Sequence, residues 1–247
     1  MINIVIPMAG QGSRFVKAGF EKPKPFIDVC GKPMIERVLE NLNLEGARFI
    51  LIAREDHLKT ERAAADDLKQ RHGCEFISVD KLTEGAACTI LLACAHINNT
   101  DPLLLANSDQ IVEMDVAEYI RDSDQRHLDG SILTFYAEHP KWSYARVDED
   151  GLVTEVKEKE PISRHATVGL YYFREGRSFV NSAVEMIVNN DRVNNEFYTA
   201  PAYNYAIRAG LKVGIYEIEE IQMFGLGTPE DLDDYVRHLK TTAGVRP

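Results

Sequence analysis

The order of apolar runs over residues 1–137 constrains this chain more than any other feature. Runs short enough for strands, at residues 2–8, 49–53, 76–79, 102–107 and 131–137, alternate with segments of helical period at 34–44, 56–70, 86–97 and 116–126. Strands that alternate with helices predict a mostly parallel sheet covered by helices on both faces. The run PLLLAN at 102–107 has almost no polar face and suits a strand buried on both sides. Beyond residue 137 the alternation stops. Residues 144–147 and 152–158 read as a hairpin about Asp148-Glu149-Asp150-Gly151. A strand at 168–173, helices at 176–189 and 197–209, and strands at 212–218 and 222–225 follow. Thr228 is placed to cap a last helix, with Pro229 at its first position and Glu230 and Asp231 in its first turn. No repeat or flexible linker divides the chain. A single domain over residues 1–247 is therefore expected, with an α/β half at 1–137 and a more antiparallel half at 138–247.

Charge is spread unevenly along this frame. The net charge is −11, yet residues 1–32 hold Arg14, Lys17, Lys22, Lys24 and Lys32 against only Glu21 and Asp28. A +3 segment is thus attached to a −14 body. The acidic total argues against a broad nucleic-acid or anionic-membrane surface, which would need an extended cationic footprint. A small polyanion in a local pocket remains compatible. No apolar run approaches the ~18 residues of a membrane span. The N-terminal stretch lacks the cationic region and cleavage site of a secretion signal, so export is not expected. Cys30, Cys74, Cys88 and Cys94 form no C-x-x-C pair, and the seven histidines are scattered. Reduced thiols of a cytoplasmic protein are expected rather than a zinc site. Whether the chain forms a homo-oligomer is left open.

The cationic segment contains a glycine-bearing loop directly after the first strand. Two common phosphate motifs fail here. The dinucleotide fingerprint G-x-G-x-x-G has Phe15 in its last place, and in a P-loop reading Pro33 follows Gly31-Lys32 while Phe26 replaces the first glycine. What remains is a strand followed by Ala9-Gly10-Gln11-Gly12-Ser13-Arg14. The glycines let backbone N–H groups approach an anion, and Ser13 and Arg14 add a hydroxyl and a permanent guanidinium. An ordinary βα turn with an exposed arginine fits Gly-x-Gly equally well. Lys24 weighs against that reading: Pro23 and Pro25 on either side predict a stiff, extended segment presenting one ammonium group.

Gly10-Gln11-Gly12-Ser13-Arg14, then Lys24, then Gly31-Lys32-Pro33-Met34 together resemble the signature of the sugar-phosphate nucleotidyltransferases. The resemblance continues through Asn107-Ser108-Asp109, Glu158-Lys159, Val168-Gly169-Leu170-Tyr171 and Gly227-Thr228-Pro229-Glu230-Asp231, almost the whole chain. It implies a Rossmann-like three-layer α/β/α sandwich of the nucleotide-diphospho-sugar transferase type, with a mixed, mostly parallel sheet. Residues 1–137 would bind the nucleotide and 138–247 the acceptor. The implied substrates are a nucleoside triphosphate, with CTP or UTP as first guesses, and a sugar 1-phosphate or similar small phosphate. The implied product would serve surface polysaccharide or another glycoconjugate.

In such a reaction a phosphate oxygen of the acceptor attacks the α-phosphorus and pyrophosphate leaves. The nucleophile is already an anion near neutral pH, because a phosphate monoester has a second pKa of ~6. No general base is required, and catalysis reduces to neutralising and aligning two polyanions. By resemblance, Arg14 meets the β/γ-phosphates, Lys24 bridges the reacting phosphates, and backbone amides from Gly10 to Ser13 hold the triphosphate. Met8, Ala9 and Gly10, with Glu84-Gly85-Ala86, would read the base, and Asn107, Tyr144, Glu158, Lys159 and Gly169 would meet the acceptor. Asp109 follows the strand at 102–107, at the carboxyl end where open α/β sheets place ligands, and its carboxylate suits Mg²⁺.

The chain also departs from the pattern. Many relatives carry an acid shortly before the final Gly-Thr-Pro as a second metal ligand, whereas Met223-Phe224-Gly225-Leu226-Gly227-Thr228-Pro229 has Gly225 there. Asp109 would then serve with phosphates and water, or Glu217 or Glu219 would move in, while Glu230 and Asp231 read as helix N-terminal residues. Lys141-Trp142-Ser143-Tyr144 and residues 194–201, NNEFYTAP, look like features of a subgroup. Two rivals stay open: a glycosyltransferase of the same fold, and a nucleotide-binding protein without catalysis.

Overall fold

The structure is a computed structural model and describes residues 1–244, with side chains to residue 242. The strand Asn3–Pro7 forms its axis. Ile4 and Ile6 point into one hydrophobic cluster and Val5 into another on the opposite face, as the period of two along a strand requires. Leu103–Ala106 repeats the pattern, with Leu104 and Ala106 on the first side and Leu103 and Leu105 on the second. Helix Met34–Asn41 covers the first face through Met34, Ile35, Val38 and Leu39, the stripe of a 3.6-residue period. Helices Ala86–Leu91, Cys94–Ile97, Gly176–Val188 and Ala202–Arg208 pack against the second. Three layers result, α/β/α.

Nine strands make the central sheet. Asn3–Pro7 lies between Arg48–Arg54 and Leu103–Ala106, parallel to both, and Glu75–Val79 extends the parallel run at one edge. The chain therefore builds outward on one side of Asn3–Pro7 and then crosses to the other. Between Asn3–Pro7 and Leu103–Ala106 lies a topological switch point, where open α/β sheets leave a crevice at the carboxyl ends of the strands. Strand His165–Phe173 then runs antiparallel to Leu103–Ala106, to Gly130–Tyr136 and, at its first residues, to Ser143–Val147. Its register against Gly130–Tyr136 shifts between Thr167 and Tyr171. The hairpin Ser143–Val147/Val153–Glu158 closes that edge, and Val213–Ile218 pairs parallel with Gly130–Tyr136. The mixed sheet matches the expectation from the alternation, with the parallel pairs concentrated in the first half.

Several elements differ from the sequence reading. Residues 56–70 fall into two helices, Glu55–Thr60 and Arg62–His72, because Glu61 leaves helical geometry at φ −105°. Residues 86–97 likewise divide at Leu92 and Ala93. The helix expected from 197 begins at Ala202, because the Phe197 backbone bonds to the 84–87 loop and Pro201 precedes the first turn. Thr228 caps the last helix, Pro229–Gly244, as expected: its hydroxyl accepts from the Asp231 amide at 3.1 Å. No helix among the described residues is long and apolar enough to cross a membrane.

Candidate active site

The carboxyl end of Asn3–Pro7 opens into residues 8–12, and Gly12, in the left-handed region at φ 60°, starts the short helix Ser13–Lys17. Met8, Ala9, Gly10, Gly12, Ser13 and Arg14 form one wall of a cleft of about 700 Å³, although Met8 and Ala9 are themselves nearly buried. Glu84, Gly85 and Ala86 form the facing wall. Gly85 has φ 129°, and a Cβ there would stand 2.4 Å from the Phe197 carbonyl oxygen, so no other residue fits without moving the backbone. That contact belongs to a clasp. The Phe197 amide donates to the Glu84 carbonyl at 2.7 Å, and the Ala87 amide donates to the Phe197 carbonyl at 3.0 Å. Arg192 lies over the Phe197 ring at 4.2 Å and pairs with the Glu84 carboxylate at 2.6 Å. The clasp brings Asn195, Glu196 and Tyr198 to the cleft rim, so the 194–201 stretch contributes to the site.

Lys24 is not presented on an extended segment. It opens a single 3₁₀ turn, Lys24–Phe26, closed by the Phe26 amide on the Pro23 carbonyl at 2.8 Å. Pro25 fits because the first residues of such a turn need no donor, and the burial of Pro25 and Phe26 holds the turn against the core. Its ammonium lies 5.8 Å from the Phe15 ring centroid and forms an ion pair with the Asp109 carboxylate. Both side chains are less than a quarter exposed. Asp109 is fixed from behind, its carbonyl accepting from the Leu226 amide at 2.7 Å. A partly buried pair of this kind interacts more strongly than one in open water.

A second cleft, of about 420 Å³, lies on the other side of Asp109. Arg14, Ala86, Asn107, Asp109, Tyr198 and Gly227 line both clefts and so form the partition between them. The second cleft opens where the register of His165–Phe173 shifts. Gly169, at φ 104°, passes so close to Asn107 that a Cβ would overlap its side-chain amide at 2.4 Å. Glu158 reaches in from Val153–Glu158 and accepts a hydrogen bond from the Ser143 hydroxyl. Burial pushes the Glu158 carboxyl upward, with the Ser143 bond and the Lys159 charge working against it.

Two expected acceptor residues do not line either cleft. Tyr144 is fully buried, and its hydroxyl donates to the His139 carbonyl at 2.7 Å. Alternation along the strand turns it into the core and leaves its neighbour Ser143 facing the cleft. Lys159, at φ 58°, bends aside so that its ammonium donates to the Tyr198 hydroxyl at 2.7 Å, over that ring. Burial alone would lower the Lys159 ammonium, but the Tyr198 hydroxyl and the nearby acids outweigh it and hold it above the ordinary value. Trp142, Gln110, Thr167, Tyr171 and Asp231 also line the second cleft without having been singled out as site residues. Trp142 lies in the unusual 141–144 stretch, and Tyr171 and Asp231 lie in stretches that carry the family resemblance, whereas Gln110 and Thr167 had no advance signal.

The acids suggested as replacements at position 225 are elsewhere. Glu217 pairs with His165 at 2.8 Å, and Glu219 takes part in the capping of the short turn Glu220–Gln222. Glu36, Glu40 and His72 lie close together, yet Arg71 bonds both Glu36 oxygens and Lys32 pairs with Glu40, so cations of the chain already fill that group. Asp109 fits a divalent ion better. It supplies hard carboxylate oxygens at the partition between the clefts, and among the described residues Lys24 engages only one of the two.

Comparison with known proteins bears directly on this arrangement. The nucleotidyl transferase family model matches residues 4–212. A mannose-1-phosphate guanylyltransferase catalytic subunit beta from Drosophila pseudoobscura pseudoobscura is 28% identical over 178 residues, 68% of this chain and 47% of the relative. The chain thus spans about half the length of that relative. A UTP–glucose-1-phosphate uridylyltransferase of Haloferax volcanii is 23% identical over 250 residues, 97% of each chain. Among solved structures, a nucleoside-diphosphate-sugar pyrophosphorylase from Vibrio cholerae superposes with a TM-score of 0.80 at 26% identity, covering 95% of this chain and 99% of that one.

Proposed function

The chain belongs to the nucleotidyl transferase family, and on that premise we propose that it moves an NMP group from a nucleoside triphosphate to a sugar 1-phosphate or similar small phosphorylated acceptor, releasing pyrophosphate. One observation carries the reading. Two clefts of small-molecule size share a partition containing Arg14, Asn107 and Asp109, with Lys24 on the nucleotide side. A phosphate held in each cleft would meet its partner at that partition.

The backbone amides of residues 10–13 receive the triphosphate, and Arg14 neutralises its distal phosphates. Lys24 leaves Asp109 when the triphosphate binds and then stands as a cation beside the phosphate oxygens on which charge accumulates in the transfer. The base lies against Met8 to Gly10 and Glu84 to Ala86, where the small residues Ala9, Gly10, Gly85 and Ala86 would expose backbone donors and acceptors to its edge. Glu158, assisted by Ser143, accepts from acceptor hydroxyls. Lys159, held on the Tyr198 hydroxyl at the rim, would turn to the acceptor phosphate. Mg²⁺, held by Asp109 and the phosphates, would supply charge neutralisation at the reacting group. The product would be a nucleotide-activated sugar or its analogue, made in the cytoplasm for polysaccharide or glycoconjugate synthesis.

The test is a pyrophosphate-release screen of five nucleoside triphosphates against a panel of phosphorylated acceptors, with CTP and UTP tried first. Pyrophosphate that depends on both substrates is the expected result. Release of free nucleotide from nucleotide-sugars, with no pyrophosphate from any pair, would replace this reading with glycosyl transfer.

A further inference from the structure

We propose that Asp231, in the first turn of the helix Pro229–Gly244, is the second carboxylate of the metal site, reaching from the helix into the space that a side chain at position 225 would otherwise enter. The inference rests on the metal reading of Asp109 above. Asp231 is not needed where a first-turn aspartate usually acts. The Thr228 hydroxyl already accepts from the Asp231 amide, and no hydrogen bond or ion pair to the Asp231 carboxylate is found among the described residues. Instead that carboxylate lines the second cleft beside Asp109.

The glycines between the two acids explain how they meet. From the point where a side chain at Gly227 would begin, an Asp109 oxygen is 3.3 Å away and an Asp231 oxygen 4.0 Å. A Cβ at 227 would crowd the Asp109 carboxylate, so glycine there keeps the gap between the two acids open. At Gly225 the nearest atom to an added Cβ is an Asp231 oxygen, at 3.8 Å, an ordinary contact. Gly225 has no left-handed φ, and it pairs with Gln110 in the two-stranded ladder that places Asp109. The Cβ of an aspartate at 225 would therefore meet no clash, and with residue 231 truncated its carboxylate would enter the space that the Asp231 carboxylate now occupies. The two positions are alternative sources of one donor.

The two carboxylates also differ in what they face. Asp109 is paired with Lys24, whereas Asp231 has no cation among its described partners. Once Lys24 turns to phosphate, two carboxylates would border one gap without a positive charge between them. An oxygen-coordinated divalent cation, which typically takes one or two protein carboxylates, matches that gap.

The experiment is an Mn²⁺ titration of the whole protein, with free ion followed by electron paramagnetic resonance, in a Lys24→Met background that frees the Asp109 carboxylate, on that parent, Asp109→Asn, Asp231→Asn, and Asp231→Ala combined with Gly225→Asp. The expected result is at least a tenfold weaker Mn²⁺ affinity in Asp231→Asn, with most of it regained in the double variant. Unchanged affinity in Asp231→Asn while Asp109→Asn loses binding would overturn this inference and leave the metal reading standing. Parent affinity in both the Asp109→Asn and the Asp231→Asn variant would overturn the metal reading itself. A loss that Gly225→Asp does not restore would overturn the exchange of one donor position for the other.

Discussion

The two sides of the site are built from different materials. In the first cleft, which we assign to the nucleotide, residues 8–14 and 84–86 present mainly small residues and backbone, with Arg14 and Lys24 as the basic groups. On the acceptor side, Trp142 and Ser143, Glu158, Thr167 to Gly169 and Tyr198 to Ala200 come from separate segments and meet through side chains. A triphosphate offers much the same oxygens in every nucleotide, so repeated N–H groups and a few cations suffice to hold it. An acceptor must be told from others like it, and that requires particular side chains at particular distances. On that assignment the first cleft would be generic and local, and the second, for the acceptor, specific and assembled.

Substitutions can break this contrast, and the largest effect is expected at Lys24. Lys24→Ala should lower turnover on the order of 10²–10³-fold with the fold intact, because it removes charge stabilisation in the transition state. The check is the rate of pyrophosphate release at saturating substrates beside a thermal unfolding curve. Near-wild-type turnover would place the catalytic charge elsewhere.

Glu158→Gln tests the other side. It should raise the acceptor KM by roughly tenfold, the loss of a hydrogen bond to a charged group, while leaving the triphosphate KM unchanged. Steady-state kinetics with each substrate varied separately decide this, and equal changes in both constants would dissolve the division between the clefts. The same variant has a pH signature. The Glu158 carboxyl is raised in the folded protein, so over its titration range the folded state binds more protons than the unfolded one. Stability should then fall as pH rises from the ordinary glutamate value, ~4.3, through the raised one, and the glutamine variant should lose that component. Unfolding midpoints measured across that range report it.

The smallest effect is expected at Tyr144. Tyr144→Phe should cost about 1 kcal/mol of stability, the hydrogen bond to His139, with no change in acceptor KM. A changed KM would return Tyr144 to the site.

Much of the nucleotide side was legible because it is continuous in sequence. Gly10 to Arg14 and Glu84 to Ala86 each lie on one loop, and the structure brings both loops to one cleft. The conformation of Lys24 was less legible. Local proline rules favoured an extended segment, and burial of Pro25 and Phe26 overrode them with a 3₁₀ turn. Of the residues expected at the acceptor, Glu158 lines the second cleft, while Tyr144 is turned into the core. Period two along a strand says that Ser143 and Tyr144 face opposite ways, but not which way the cleft lies. Asp231 was read as a helix-terminal acid because its local signal is complete without a ligand; its nearness to Asp109 follows only from packing.

By itself the sequence determined the alternation of strand and helix, the cationic glycine loop with Lys24, and the family to which these belong. These are local patterns, set by backbone sterics, side-chain period and charge along one stretch of chain. The tertiary structure alone decided that Arg14, Asn107 and Asp109 divide two clefts, and that the 195–198 segment closes the rim of one of them. Those arrangements depend on a register shift near Gly169 and on contacts between segments more than eighty residues apart. No local pattern encodes such distances, because they are fixed only when the sheet closes and its two faces are packed.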